Sequence, residues 1–150
     1  MSEITHLNPV WRRRSNFIIA VVIDPASTVI ETEQLWATQI GEREFELCCI
    51  PFFTYGLALG DIVEVDADFL VKRVLVPSGR YVYRANFEES MYHMREVVAR
   101  ELEDLGALLE WSSPGYLAID ARDSAHGLKV VDYLFEKSFQ GVLSYETGGP

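Results

Sequence analysis

Residues 81–106, YVYRANFEESMYHMREVVARELEDLG, change period part-way, and that change decides the fold. The first five read as a strand. Asn86 then offers a helix N-cap, with Glu89 three residues later to complete a capping box. Met91, Met94, Val98, Leu102 and Leu105 recur at spacings of three and four, which gives one apolar stripe, and Gly106 supplies the stop. Downstream, residues 107–111 and 116–120 form a hairpin around Ser112-Ser113-Pro114-Gly115. A second helix begins near Asp123 or Ser124, buries Leu128, Val131, Leu134 or Phe135 and Phe139, and stops at Gly141. Residues 142–145 are the last strand, and Gly148-Gly149-Pro150 reads as a frayed tail. The order β-α-β-β-α-β predicts a split βαβ, ferredoxin-like half with two helices on one face of an antiparallel sheet.

Upstream of residue 81 the punctuation is that of β structure. Residues 17–24 are nearly all Ile, Val and Ala and predict a strand covered on both faces. Residues 35–40 and 44–50 flank Gly41-Glu42-Arg43 as a hairpin, with a period of two in the second arm. Pro51 ends the ladder because it has no N–H to donate. An aromatic loop over 51–61 ends in a Gly-Asp turn, residues 62–66 and 69–76 form a second hairpin, and Pro77-Ser78-Gly79-Arg80 turns the chain into residue 81. Hairpin-connected strands without an intervening helix predict a small closed or partly closed barrel. The expectation is an α+β chain with a barrel-like half over 1–80 and a ferredoxin-like half over 81–150. No linker separates them, so they pack closely and share a strand or an interface.

Composition narrows the function classes. The 150 residues carry 13 Lys and Arg against 23 Asp and Glu, a formal charge of -10, with 49% hydrophobic residues. That suits a folded chain with a core and disfavours direct binding to nucleic acid or an anionic membrane, both of which need clustered cations. Arg12-Arg13-Arg14 before residues 17–23 resembles a targeting signal, but Asp24-Pro25 breaks the apolar run and no cleavage pattern follows. The expected location is the cytoplasm. Cys48 and Cys49 are adjacent and point to opposite faces of a strand, so buried free thiols are expected in place of a disulfide.

No constellation for catalysis stands out. His6, His93 and His126 lack partners at ligand spacing, so neither a metal nor another cofactor is expected. Nucleotide-cradling loops and a G-x-S-x-G elbow are missing. Gly56-Leu57-Ala58-Leu59-Gly60 reads as a tight turn, and no residue is assigned a catalytic role. Acidity, however, is uneven: residues 88–150 hold 12 acids and 5 bases, residues 1–87 hold 11 and 8. Glu88, Glu89, Glu96, Glu103 and Asp104 fall off the helical stripe, and Asp120 and Asp123 lie near the second helix. Together with Tyr92, also off the stripe, they are the candidate partner-binding residues, an electronegative surface for a basic partner. Trp36, Phe52, Phe53, Tyr55 and Trp111 are further aromatic candidates for core or interface.

Three motifs occur in order: Glu33-Gln34-Leu35-Trp36-Ala37; Pro51-Phe52 with Tyr55-Gly56-Leu57, Gly60-Asp61 and Val63; and Ser78-Gly79 with Arg84. This pattern resembles the bacterial domain of unknown function family numbered 4265. The resemblance implies no reaction, but it implies a setting, since small acidic bacterial domains of this kind often protect a producing cell from its own secreted toxin. The expected function is therefore a cytoplasmic immunity protein, or antitoxin. It would occlude in a 1:1 complex a basic toxin that acts on nucleic acid or NAD, with carboxylates imitating phosphates. The alternative is a small-molecule-sensing regulatory module, an inference from fold analogy.

Overall fold

A computed structural model describes residues 2–28 and 31–149. Among them are ten strands in two sheets and two α-helices. The first sheet contains β1 (Ser2–Ile4), β2 (Phe17–Val22), β3 (Glu31–Gln39), β4 (Glu44–Leu47), β5 (Ile62–Val65) and β6 (Val71–Val76). Its strands run in the order β1-β3-β4-β5-β6, with β2 antiparallel along β3 and β1 parallel to β3. The sheet curls until β2 touches the turn just before β6 at one bridge, between Ala20 and Leu70, where the Ala20 N–H donates to the Phe69 carbonyl at 3.0 Å. A single bridge does not make a closed barrel. Inside the curl, Ile19, Leu35, Phe45, Leu47, Cys49, Val63 and Val65 form a dry core.

The second sheet contains β7 (Tyr81–Asn86), β8 (Leu108–Ser113), β9 (Tyr116–Ala121) and β10 (Ser144–Gly149), all antiparallel, in the order β10-β7-β9-β8. Two helices, α1 (Arg95–Asp104) and α2 (Ser124–Phe139), cover one face. Tyr83, Ala85, Phe87, Leu117 and Ile119 meet Val98, Leu102, Val130 and Leu134 there. The alternate residues of β7 and β9, Val82 and Ala118, face the other way and meet Ile50, Phe52, Ala58 and Leu59 from the first half. This junction joins the two sheets into one structure.

Three local expectations are corrected. Asn86 does not cap a helix. It ends β7, paired with Tyr116 and Ser144, because the Phe87 N–H continues the sheet by donating to the Gly115 carbonyl at 2.7 Å. The chain then winds as a 3-10 stretch over Glu89–Met94, and α1 starts only at Arg95. The second correction is the buried face of α2, which is His126, Gly127, Val130 and Leu134; Leu128 (66% exposed), Phe135 and Phe139 (85% exposed) form an outer apolar row. Gly127 lets the helix approach the sheet, since a Cβ there would lie 2.9 Å from the Tyr83 hydroxyl. His126 is a buried polar anchor: its Nδ1 accepts from the Arg122 N–H at 3.0 Å and its Nε2 donates to the Leu105 carbonyl at 2.7 Å. Neither residue carries a hydrophobic signal, so the helix is rotated from the face its leucines and phenylalanines suggested. Third, Gly148 and Gly149 belong to β10, with Gly148 buried against the Arg84 guanidinium; Pro150 lies outside the described residues.

The tip of the β8–β9 hairpin is equally tight. A Cβ on Gly115 would meet the Phe87 carbonyl oxygen at 2.7 Å and the Tyr92 hydroxyl at 2.9 Å. Gly115→Ala is expected to lower stability by about 1–3 kcal/mol, the usual penalty of overpacking, which urea titration followed by fluorescence would measure.

Candidate functional site

The N-terminal segment is fixed by a buried ion cluster. His6, in the loop after β1, stacks on Phe52 with ring centroids 3.9 Å apart. Its Nδ1 faces Glu110 Oε1 at 2.7 Å and its Nε2 faces Glu33 Oε2 at 2.6 Å, and all three side chains are shut off from solvent. Neither carboxylate is left short of donors. Glu33 also accepts from the backbone N–H groups of Phe52 (2.7 Å) and Phe53 (3.0 Å) and from the Thr54 hydroxyl (3.2 Å). Glu110 accepts from the N–H groups of Ile50 (2.6 Å) and Val10 (3.3 Å). Burial by itself would lower the His6 pKa, but contact with Cys49 and the two carboxylates reverses that and holds it well above the ordinary value. Burial works to raise Glu33, yet the hydrogen bond and charge of His6 and the two backbone donors leave it below the carboxylate range.

This arrangement decides a chemical question. Cys49 lies beside His6, and a thiol, an imidazole and a carboxylate together are the parts of a nucleophilic site. Here both ring nitrogens face carboxylates, so His6 is an imidazolium with no lone pair to take a proton. Cys49 is fully buried, and burial pushes its thiol up, away from the reactive thiolate. Among the described residues, no group of three or more His, Cys, Asp and Glu side chains is arranged to hold a metal ion. The cluster is a clamp.

What the clamp positions is a groove. Residues adjacent to its members, Leu7 after His6 and Trp111 after Glu110, emerge on the surface and line an open depression of about 790 Å³ with Tyr92, His93, Arg95, Glu96 and the hairpin tip at Ser112–Pro114. Trp111 is 38% exposed and leans on Phe87. Arg95 stacks over the Tyr92 ring at 4.5 Å while donating to the carbonyls of Tyr92 (3.0 Å) and Pro114 (3.1 Å), which ties the 3-10 stretch to the hairpin.

The structure distributes the eight candidate residues unevenly. Tyr92 and Glu96 lie in the groove, Tyr92 half-buried. Glu88 and Glu89 are exposed on the preceding turn, and Glu103 and Asp104 are exposed at the far end of α1. None of these five acids forms an ion pair among the described residues. Asp123 caps α2 by accepting from the His126 N–H at 2.8 Å. Asp120 is not on the surface at all: it is buried in a bidentate pair with Arg80, at 2.9 and 2.6 Å. Of the six aromatic candidates, Tyr55 and Trp111 are the more exposed. The clamp itself went unseen because His6, Glu33 and Glu110 are far apart in sequence. The available signal was Glu110 alone among Leu108, Leu109 and Trp111 in a strand.

Residues 33–145 match the model of a family described as Domain of unknown function (DUF4265). The chain belongs to that family. The DUF4265 match therefore takes in Glu33, Arg84, Glu110 and Trp111, while His6 precedes it. A hypothetical protein from Neisseria gonorrhoeae, known from a crystal structure, is similar in fold, with a TM-score of 0.69 at 18% identity over 86% of this chain and 91% of that one. No curated protein matches. No helix among the described residues is long and apolar enough to cross a membrane.

The clamp has a pH signature. Glu33, lowered in the folded state, contributes stability above its ordinary 4.5 that is lost as pH falls through its folded value. His6, raised, contributes fully below its ordinary 6.5 and progressively less as pH climbs towards its folded value. Their combined contribution is greatest between pH 4.5 and 6.5. Urea midpoints across pH should fall on both sides of that window, and the alkaline slope should flatten in His6→Gln. Breaking the buried pair with Glu33→Ala should cost about 3–5 kcal/mol.

Proposed function

We propose that this DUF4265 protein is a stoichiometric binding protein, a cytoplasmic immunity protein that occludes a cognate antibacterial toxin in a 1:1 complex. The observation that carries this reading is the groove: a partly exposed tryptophan and a half-buried tyrosine share a surface depression with the unpaired carboxylate of Glu96. Aromatic anchors in a pocket with a charged rim are what a partner surface needs. A toxin that binds the phosphates of nucleic acid or NAD displays Arg or Lys in its cleft, and carboxylates on this rim imitate those phosphates. No turnover is required, which agrees with a His6 that has no basic nitrogen free and a Cys49 that solvent does not reach.

The architecture behind this reading is a barrel-like unit over 1–80 and a ferredoxin-like unit over 81–150. The near-closure of β2 on β6 supports the first, and the strand order β10-β7-β9-β8 with α1 and α2 on one face supports the second. A second reading, a small-molecule-sensing module, is favoured by the size of the groove, which falls within the roughly 300–1,000 Å³ of ordinary ligand pockets.

Co-purification with the product of the neighbouring gene tests the proposal. The expected outcome is a 1:1 complex whose association slows as salt rises, weakened by about 2 kcal/mol in Trp111→Ala, roughly thirtyfold, and slowed by Glu96→Lys. Equal association rates at low and high ionic strength would count against phosphate mimicry. A neighbour that is harmless when expressed alone would overturn the immunity reading.

A further inference from the structure

A second site lies away from the groove, on the face of the second sheet that meets the first half. Arg84, the last residue of the third sequence motif, is 1% exposed. Its Nη2 donates to the carbonyls of Thr54 and, at 3.3 Å, Pro51. Its Nε and Nη1 are also buried and have no hydrogen-bond partner among the described residues. Such donors are rare, because leaving one unsatisfied in the interior is unfavourable. Glu146, opposite Arg84 across the β7–β10 ladder, brings Oε1 to 4.0 Å from Nη1, beyond hydrogen-bond reach. The Tyr55 hydroxyl holds it there, 2.8 Å from each carboxylate oxygen.

Between these groups is a cleft of about 180 Å³, lined by Arg84, Asn86, Tyr116, Ser144 and Glu146. Register explains the grouping: Asn86 follows Arg84 by two on β7 and pairs with both Tyr116 and Ser144, so their side chains share one face. The Tyr116 hydroxyl donates to the Phe52 carbonyl at 2.9 Å, and burial pushes its pKa up to about 12, so its oxygen is a neutral acceptor towards the cleft.

We propose that this cleft binds a small zwitterion, a free α-amino acid, with its carboxylate on Arg84 and its ammonium on Glu146 and Tyr116. A simple anion would also meet Glu146 and a simple cation would also meet Arg84. A molecule carrying both charges a few atoms apart satisfies the two at once. The volume equals roughly six waters at about 30 Å³ each, room for an amino acid with a small side chain. The inference goes beyond the partner-binding reading and does not depend on it.

The test is a titration of the full chain with L-alanine, followed by the Arg84 Nε–H resonance in 15N–1H spectra and by calorimetry. Acetate and methylammonium at matched ionic strength serve as single-charge probes. Saturable binding of alanine that shifts this resonance is expected, with acetate and methylammonium each weaker by about tenfold or more, as the loss of a charge-assisted hydrogen bond implies. Glu146→Gln, at a half-exposed position, should weaken alanine by a similar factor and leave acetate no weaker, with an unchanged circular dichroism spectrum. Acetate binding as tightly as alanine, or alanine binding unaltered in Glu146→Gln, would overturn the zwitterion assignment. A resonance that no probe moves would overturn the site.

Discussion

The structure depends on one imidazolium held between two carboxylates in a place water does not reach. His6 draws Glu33 from the first sheet and Glu110 from the second to within 2.7 Å of its ring nitrogens, so neither sheet is fully satisfied without the other. Buried charges are unfavourable unless every lone pair and proton is engaged. Here five further donors, four of them backbone N–H groups from Val10, Ile50, Phe52 and Phe53, complete the two carboxylates. That explains why the loop after β4 can abandon strand geometry inside the protein. Its N–H groups exchange ladder partners for carboxylate oxygens.

The same loop is gripped from its other side. Glu33 takes the N–H groups of Phe52 and Phe53, while Arg84 gives protons to the carbonyls of Pro51 and Thr54. A negative group at the donor side and a positive one at the acceptor side polarise the segment in one direction, and Arg84 offsets the surplus negative charge of the clamp. One short loop therefore lies between two charged supports.

Much of the fold was legible because it rests on local periodicity. The strand arms read at 17–24, 44–50 and 116–120 fall on β2, β4 and β9, although β4 ends three residues earlier than read, at Leu47, and the stops read at Gly106 and Gly141 have positive φ angles. The buried face of α2 escaped because it is built from His126 and Gly127, a hydrogen-bonding anchor and a missing side chain, while the visible hydrophobes Leu128, Phe135 and Phe139 face outward. The start of α1 escaped because Gly115, far along the chain, holds Phe87 in the sheet against its local capping preference. Of the surface candidates, Tyr92 and Glu96 reached the groove, but Asp120 had already been claimed by Arg80, a partner that periodicity does not reveal. The clamp was the least legible part. Its two carboxylates lie 27 and 104 positions from His6, and nothing local to any of the three announces the others.

That separation also orders events during synthesis. The ribosome makes His6 while the acid that completes its seat is still 104 codons from being translated. Until then Glu33 has no fixed cation and the loop over 50–54 has half its supports. The closure entropy for so long a loop grows only slowly with its length, so the delay is a matter of timing more than of equilibrium. During synthesis His6 therefore waits for its second carboxylate until the ribosome has passed residue 110.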